Sequence, residues 1–182
     1  NRSDSVAEEK ARIKRASDRG TAYHRALELI HFAEISGCDD VVKELDRIRE
    51  EKRMQETAID MVYPGVLTKF FHSDIAARMK QADRNGKLRK ESQFVVGIPA
   101  REMNKADSDA LILLQGIIDA FFEEDGKLVL VDYKTDYVEN SDILIRRYEA
   151  QVRYYTRALE QMTGKRVAER YLYSFRFGAI EV

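Results

Sequence analysis

The chain has 182 residues, suited to one domain that buries its own core, and 35% of them are charged against 44% hydrophobic. A formal net charge of -1 gives no global sign of a nucleic-acid partner, so the local placement of charge must decide. No apolar run approaches the roughly eighteen residues that cross a membrane, and NRSDSVAEEKARIKR lacks a signal peptide's apolar stretch, so the expectation is a cytoplasmic protein without membrane association.

Residues 5–16 read as a charged helix, within a segment carrying Lys10, Arg12, Lys14, Arg15, Arg19 and Arg25. Gly20-Thr21 opens a second helix, TAYHRALELIHFAEI, where Ala22, Ala26, Leu29, Ile30 and Ala33 recur at helical spacing. Ser36-Gly37 ends it. Cys38 follows in the polar turn SGCDD; as the sole cysteine it excludes an internal disulfide, a four-cysteine zinc site and a cysteine-ligated iron–sulfur cluster. No base stands near it in the sequence, so it reads as a bystander. Asp39 or Asp40 caps a third helix to about Arg53. Pro64-Gly65 breaks the chain before LTKFF, and Ser73 caps SDIAARMKQA.

After Asn85-Gly86 the character changes. Residues 87–98 end in the strand-like FVVGI, and a polar loop runs on through Ser108. Residues 110–122 and 127–135 are two apolar runs separated around Asp125-Gly126, a strong hairpin signal. Residues 142–162 return to helical spacing, with Ile143, Tyr148, Val152, Tyr155, Leu159 and Met162 on it, and 167–177 reads as a last strand. The order is helices, three strands, helix, strand: an α/β domain on a mixed sheet.

With Asp125 and Gly126 as the two loop residues, Glu124 pairs with Lys127, and stepping outward puts Asp119 opposite Asp132. Opposed side chains in an antiparallel pair hold their Cβ atoms roughly 4.5–5.5 Å apart, where like charges destabilise. Lys134, two residues past Asp132, shares its face. A solvated rim ion pair explains a lone D-x-K; two facing carboxylates among Ile, Val, Leu and Phe ask for a divalent cation. Hard cations such as Mg2+ take carboxylate oxygens, waters and substrate phosphate. Such a cation offsets the repulsion and lowers the pKa of a bound water, while Lys134 orients that water or stabilises charge on the phosphate.

The segments GIIDAFF and VDYKT resemble the motif of the PD-(D/E)XK nucleases, RecB-like branch: Gly116-Ile117-Ile118-Asp119, then Asp132-Tyr133-Lys134-Thr135. Ile118 stands where the family name has proline. GTAYHRALE is similar to the branch's G-T-x-x-H helix, and Gln151 and Tyr155 match its Q-(L/V)-x-x-Y pattern. The resemblance implies a restriction-endonuclease-like core (αβββαβ) behind an N-terminal helical section. It implies Asp119, Asp132 and Lys134 as catalytic residues, with His24, Asp119, Asp132 and the Tyr133 backbone carbonyl as metal ligands. Mg2+ is the implied metal, with Mn2+ able to substitute. Gln151 and Tyr155 fall near the catalytic centre and DNA path, although Tyr155 fits a core position equally. Glu91 is either a solvated strand residue or a group supporting the ligands from behind. Arg147 and Arg153 face either phosphates or solvent.

Within the branch the nearest likeness is to the nuclease domain of AddA (RexA)-type helicase–nucleases. AddB-type and Cas4-like relatives carry clustered cysteines for an iron–sulfur cluster, which this chain cannot supply. No G-x-x-x-x-G-K-(S/T) loop occurs, so no motor is recognisable here. The expectation is one nuclease domain, 1–182, with a helical section to about 85 and a catalytic sheet core over about 86–182, excised from a longer chain. Its implied partners are DNA, foremost a single strand, the helicase domain of the parent chain and an AddB-type protein, with double-strand breaks as the setting. The alternatives are a stand-alone exonuclease or endonuclease, or an inactive DNA-binding relative.

Overall fold

The computed structural model describes residues 2–103 and 110–182. Its helical section holds α1 (Arg2–Leu29), α2 (Cys38–Glu50), α3 (Glu56–Ile59), α4 (Pro64–Phe71) and α5 (Asp74–Arg84). The remainder holds β1 (Leu88–Pro99), β2 (Leu111–Glu124), β3 (Lys127–Lys134), α6 (Ser141–Thr163), β4 (Val167–Ser174) and β5 (Gly178–Glu181). Of the polar loop expected after β1, Ala100–Met103 forms a 3-10 turn, and 104–108 lie outside the described residues.

Capping chemistry sets several boundaries. Ser73 accepts the Ala76 N–H at 3.3 Å to start α5, and Asn140 accepts the Ile143 N–H at 3.2 Å to start α6. Pro64 opens α4 at its first turn, where a missing N–H costs nothing. Gly164, at φ 67°, closes α6 in the left-handed conformation. Asp40 does not cap α2 as expected. Gly37 is the N-cap, and the Asp40 carboxylate reaches back to the N–H groups of Ser36 and Gly37.

A second correction concerns Gly20. It opens no new helix, because α1 runs unbroken through it. A Cβ there would lie 2.6 Å from the Thr135 hydroxyl, so glycine allows α1 to touch the chain leaving β3. The interior glycine therefore marks a close approach rather than a boundary.

The sheet follows chain order, β1-β2-β3-β4-β5. The first three strands are antiparallel, β3 and β4 are parallel across the α6 crossover, and β5 returns antiparallel. The strand expected over 167–177 stops at Ser174, whose hydroxyl accepts the N–H groups of Arg176 and Phe177; Gly178, at φ 85°, then starts β5. One face of the sheet buries Ala120, Phe122, Val129 and Val131 against the helical section. The other buries Phe94, Ile118, Leu130 and Leu172 with Leu144, Val152 and Leu159 of α6.

The hairpin turn has the expected residues. Asp125 and Gly126 take φ 51° and 76°, both positive as a two-residue primed turn requires. Pairing runs from Glu124–Lys127 to Ala120–Val131 and ends one step short of Asp119 and Asp132. On the other side of β2 the β1 ladder skips Glu91, which would face Asp119 and takes φ 49°. Before this step Leu88 packs on the helical section; beyond it Phe94, Val96 and Ile98 pack toward α6. On β2, Ala120 faces the helical section and Ile118 the α6 side. Both strands thus carry one extra residue at the same level, so their pairing register survives while their faces exchange. The outer arm leaves Val95, Leu111, Leu113 and Ile117 exposed, where the sequence reads as buried strand.

Candidate active site

The paired irregularity turns Glu91 and Asp119 toward α1. His24 Nδ1 lies 3.0 Å from Asp119 Oδ1, and the Tyr133 N–H donates to Asp119 Oδ2 at 2.8 Å. One carboxylate thereby joins α1 to β3 where the β2–β3 ladder opens. Ligand atoms of His24, Glu91 and Asp119 all lie within 4.8 Å of one another. Burial alone would push the His24 pKa down, but the bond to Asp119 and its charge outweigh that and raise it. Burial likewise pulls Asp119 upward, yet His24 and the Tyr133 N–H hold it below the ordinary carboxylate value. Glu91 is raised, first by burial and then by the Asp119 charge.

Asp132 is 2% exposed, and burial pushes its carboxyl up; Lys134 opposes that rise, while Asp119 adds to it. Lys134 Nζ stands 2.6 Å from Asp132 Oδ2, though off a hydrogen-bonding direction, so this buried oxygen has contact with a cation but no aligned donor. The ammonium does donate to Gln151 Oε1 at 2.9 Å, and Gln151 Nε2 donates to the Tyr155 hydroxyl at 3.0 Å. The Tyr148 ring lies 3.8 Å beneath Lys134 Nζ, within cation–π range. Tyr148 in turn donates to Asp136, which also holds Arg147 at 2.8 Å. Tyr148, Gln151 and Tyr155 recur at i, i+3 and i+7, so one face of α6 fixes the lysine.

A charged trio of Asp, Asp and Lys, 9%, 2% and 8% exposed, sits at the mouth of a strand pair among apolar neighbours. Such burial is unusual for these residue types unless they are paired or bind a ligand. A model of the PD-(D/E)XK nuclease superfamily matches residues 1–180. The chain belongs to this superfamily. Among curated relatives, the A subunit of the ATP-dependent helicase/nuclease of Lachnoclostridium phytofermentans is 34% identical over 200 residues, covering 90% of this chain and 14% of that protein. Its namesake in Clostridium botulinum (strain Alaska E43 / Type E3) is 36% identical over 165 residues, covering 88% and 13%. That of Clostridium novyi is 32% identical over 181 residues, covering 96% and 14%. The chain thus spans only 13–14% of the length of these relatives.

On a PD-(D/E)XK chain the motif residues fall as follows. His24, Glu91, Asp119, Asp132 and Lys134 converge, with Gln151 and Tyr155 behind the lysine. Arg147 reaches this network through Asp136 and through its neighbour Tyr148. Arg153 is apart: it lines a cleft of about 270 Å³ with Ile98, Glu102 and Arg157, none of them in the cluster. Sequence reading missed Tyr148 and Asp136 as neighbours of the lysine. Tyr148 stands three residues before Gln151, a spacing that could have revealed it. The donor set fits a hard divalent cation: one imidazole nitrogen, carboxylate oxygens and no thiolate.

Proposed function

We propose that this chain hydrolyses DNA phosphodiester bonds with Mg2+, or Mn2+ in its place, as the nuclease unit of an AddA-type helicase–nuclease. The observation that carries this reading is the buried Asp119–Asp132–Lys134 set beside His24, in a chain whose relatives are named as helicase/nucleases. His24, Asp119 and Asp132 hold the metal, with the Tyr133 backbone carbonyl and with Glu91 from β1. When bound, the cation lowers the pKa of a water and neutralises charge on the scissile phosphate. Lys134, fixed by Gln151 and Tyr148, orients the attacking water and stabilises the developing negative charge.

A helicase on the same polypeptide would deliver single strands, so single-stranded DNA cut exonucleolytically is the substrate class, and an AddB-type protein the partner. The setting is end resection during double-strand-break repair, in the cytoplasm. Among the described residues, no helix is long and apolar enough to cross a membrane. The test is cleavage of single- and double-stranded DNA with Mg2+, Mn2+ or EDTA, for wild type and Asp132→Ala. Wild type should cut only with metal, and the variant should lose activity by orders of magnitude while staying folded by circular dichroism. Near-normal cutting by a folded Asp132→Ala protein would refute the assignment.

A further inference from the structure

Over residues 6–19, α1 is exposed on every side, and its arginines recur along one flank: Arg12, Arg15 and Arg19, at i, i+3 and i+7. Arg12 and Arg19 line a cleft of about 520 Å³ and Arg19 an adjoining one of about 460 Å³, the two sharing Arg19, Thr135, Asp136 and Tyr137, while Arg15 lines a neighbouring cleft of about 630 Å³ with Arg12, Arg19 and Tyr63. The smallest of these is closed by Arg176, from the β4–β5 turn, and by Tyr63. Arg176 lies 4.1 Å over the Tyr137 ring, which is nonetheless 86% exposed; Tyr63 is 59% exposed.

The partners of these groups matter. Elsewhere Arg47, Arg49, Arg78, Arg147 and Arg157 are each bound to a carboxylate. Among the described residues, Arg15, Arg19 and Arg176 have no carboxylate at ion-pair distance. Asp136, the acid in the shared lining, is already engaged by Arg147 and Tyr148. Three guanidiniums without acids, beside two exposed tyrosine rings, make a surface that favours an anion bearing flat apolar groups. The groove also has a direction. Its inner end, Thr135, follows Lys134 in the chain and touches Gly20, one helical turn from His24.

We propose that this groove binds the single-stranded DNA on one side of the cut: phosphates lie against Arg15, Arg19 and Arg176, and bases stack on Tyr137 and Tyr63. The assignment to DNA rests on the centre being a nuclease; the groove itself rests on its own residues. A single strand is specified because duplex DNA hides the base faces that exposed tyrosines would take. This track includes neither Arg153, which lines a different cleft, nor Arg147, which is paired with Asp136.

The experiment measures binding of a fluorescein-labelled oligothymidylate by anisotropy in EDTA, over a range of salt. The proteins are wild type, the triple variant Arg15→Gln/Arg19→Gln/Arg176→Gln, Tyr137→Ala, and a charge-matched control, Lys52→Gln/Lys127→Gln/Arg166→Gln. Each phosphate contact contributes about 0.7 to the salt slope for a single strand, so the triple variant's slope should fall by about 2 and the control's should not. Tyr137→Ala should weaken binding by roughly fivefold or more. With Mn2+, the triple variant should cut the oligonucleotide more slowly yet hydrolyse bis(p-nitrophenyl) phosphate at the wild-type rate. An unchanged slope in the triple variant, an equal loss in the control, or no binding by wild type overturns the groove. A wild type that binds the strand but cuts neither substrate overturns the nuclease reading and leaves the groove standing.

Discussion

Glu91→Gln tests whether the ligand atoms of His24, Glu91 and Asp119, all within 4.8 Å of one another, form a single site. At that spacing two carboxylates repel by roughly 3 kcal/mol at an effective dielectric of ~20. Glu91 is half-buried; Glu28 adds to the repulsion while His24, Arg25 and solvent screening offset it, which leaves about 0.5–1.5 kcal/mol. The Glu91 pKa is raised in the native state, first by burial and then by Asp119. Its ionisation therefore costs stability as pH rises from 4.5 through that raised value, and the glutamine variant is spared the loss. In EDTA at neutral pH the variant should melt higher by about 1–5 °C, at ~2–4 °C per kcal/mol for a domain this size. If Glu91 also ligates, a tenfold weaker Kd removes about 1.4 kcal/mol of metal-induced stability, or roughly 3–5 °C. The assay is thermal melting of both proteins with EDTA or saturating Mn2+. A variant that melts lower in EDTA and gains as much from Mn2+ would show that Glu91 stands outside the site.

Gly20→Ala should destabilise, because overpacking against Thr135 costs about 1–3 kcal/mol against a helix-propensity gain of about 1. In a Thr135→Ala background it should instead stabilise, and strict additivity in urea melts would rule out the contact. Lys90 donates to the carbonyls of Leu27 and Ile30 at the end of α1, so Lys90→Met should cost roughly 1–3 kcal/mol in urea unfolding. A midpoint unmoved by that change would mean the carbonyls do not need it. His24→Ala should raise the metal concentration for half-maximal cleavage without altering oligonucleotide binding in EDTA; a Mn2+-bound structure with His24 turned away would sink its role as ligand.

Much of the architecture was legible because local chemistry and packing agree. Asp125-Gly126 fixed the hairpin register, and Ser73 marks its helix start as read. Two of the misreadings share a cause, a contact distant in the chain that overrode a local signal. Gly20 reads as a breaker, but its missing side chain serves Thr135, far along the chain. Glu91 could not be assigned from alternation, because the extra residue in each strand shifts the period at the point where the site forms. Tyr148 reads as one more apolar helix position, and only the fold shows a lysine above its ring. The β4–β5 turn was lost inside a run of aromatic residues that alternate like a continuous strand.

Helix α1 joins two unlike stretches in one 28-residue element. From Gly20 onward its residues enter the core, whereas residues 6–19 stay exposed, held by the helix's own backbone hydrogen bonds and by local pairs such as Arg12–Glu9. Helices of that length are marginal in water by themselves. Amide protons along this single helix should therefore exchange at two rates, fast toward the N-terminus and slow past Gly20. Arg15 and Arg19 stand on the fast side. A strand laid across them would slow exchange in a stretch that is otherwise exposed, so deuterium uptake there would register occupancy of the groove before any bond is cut.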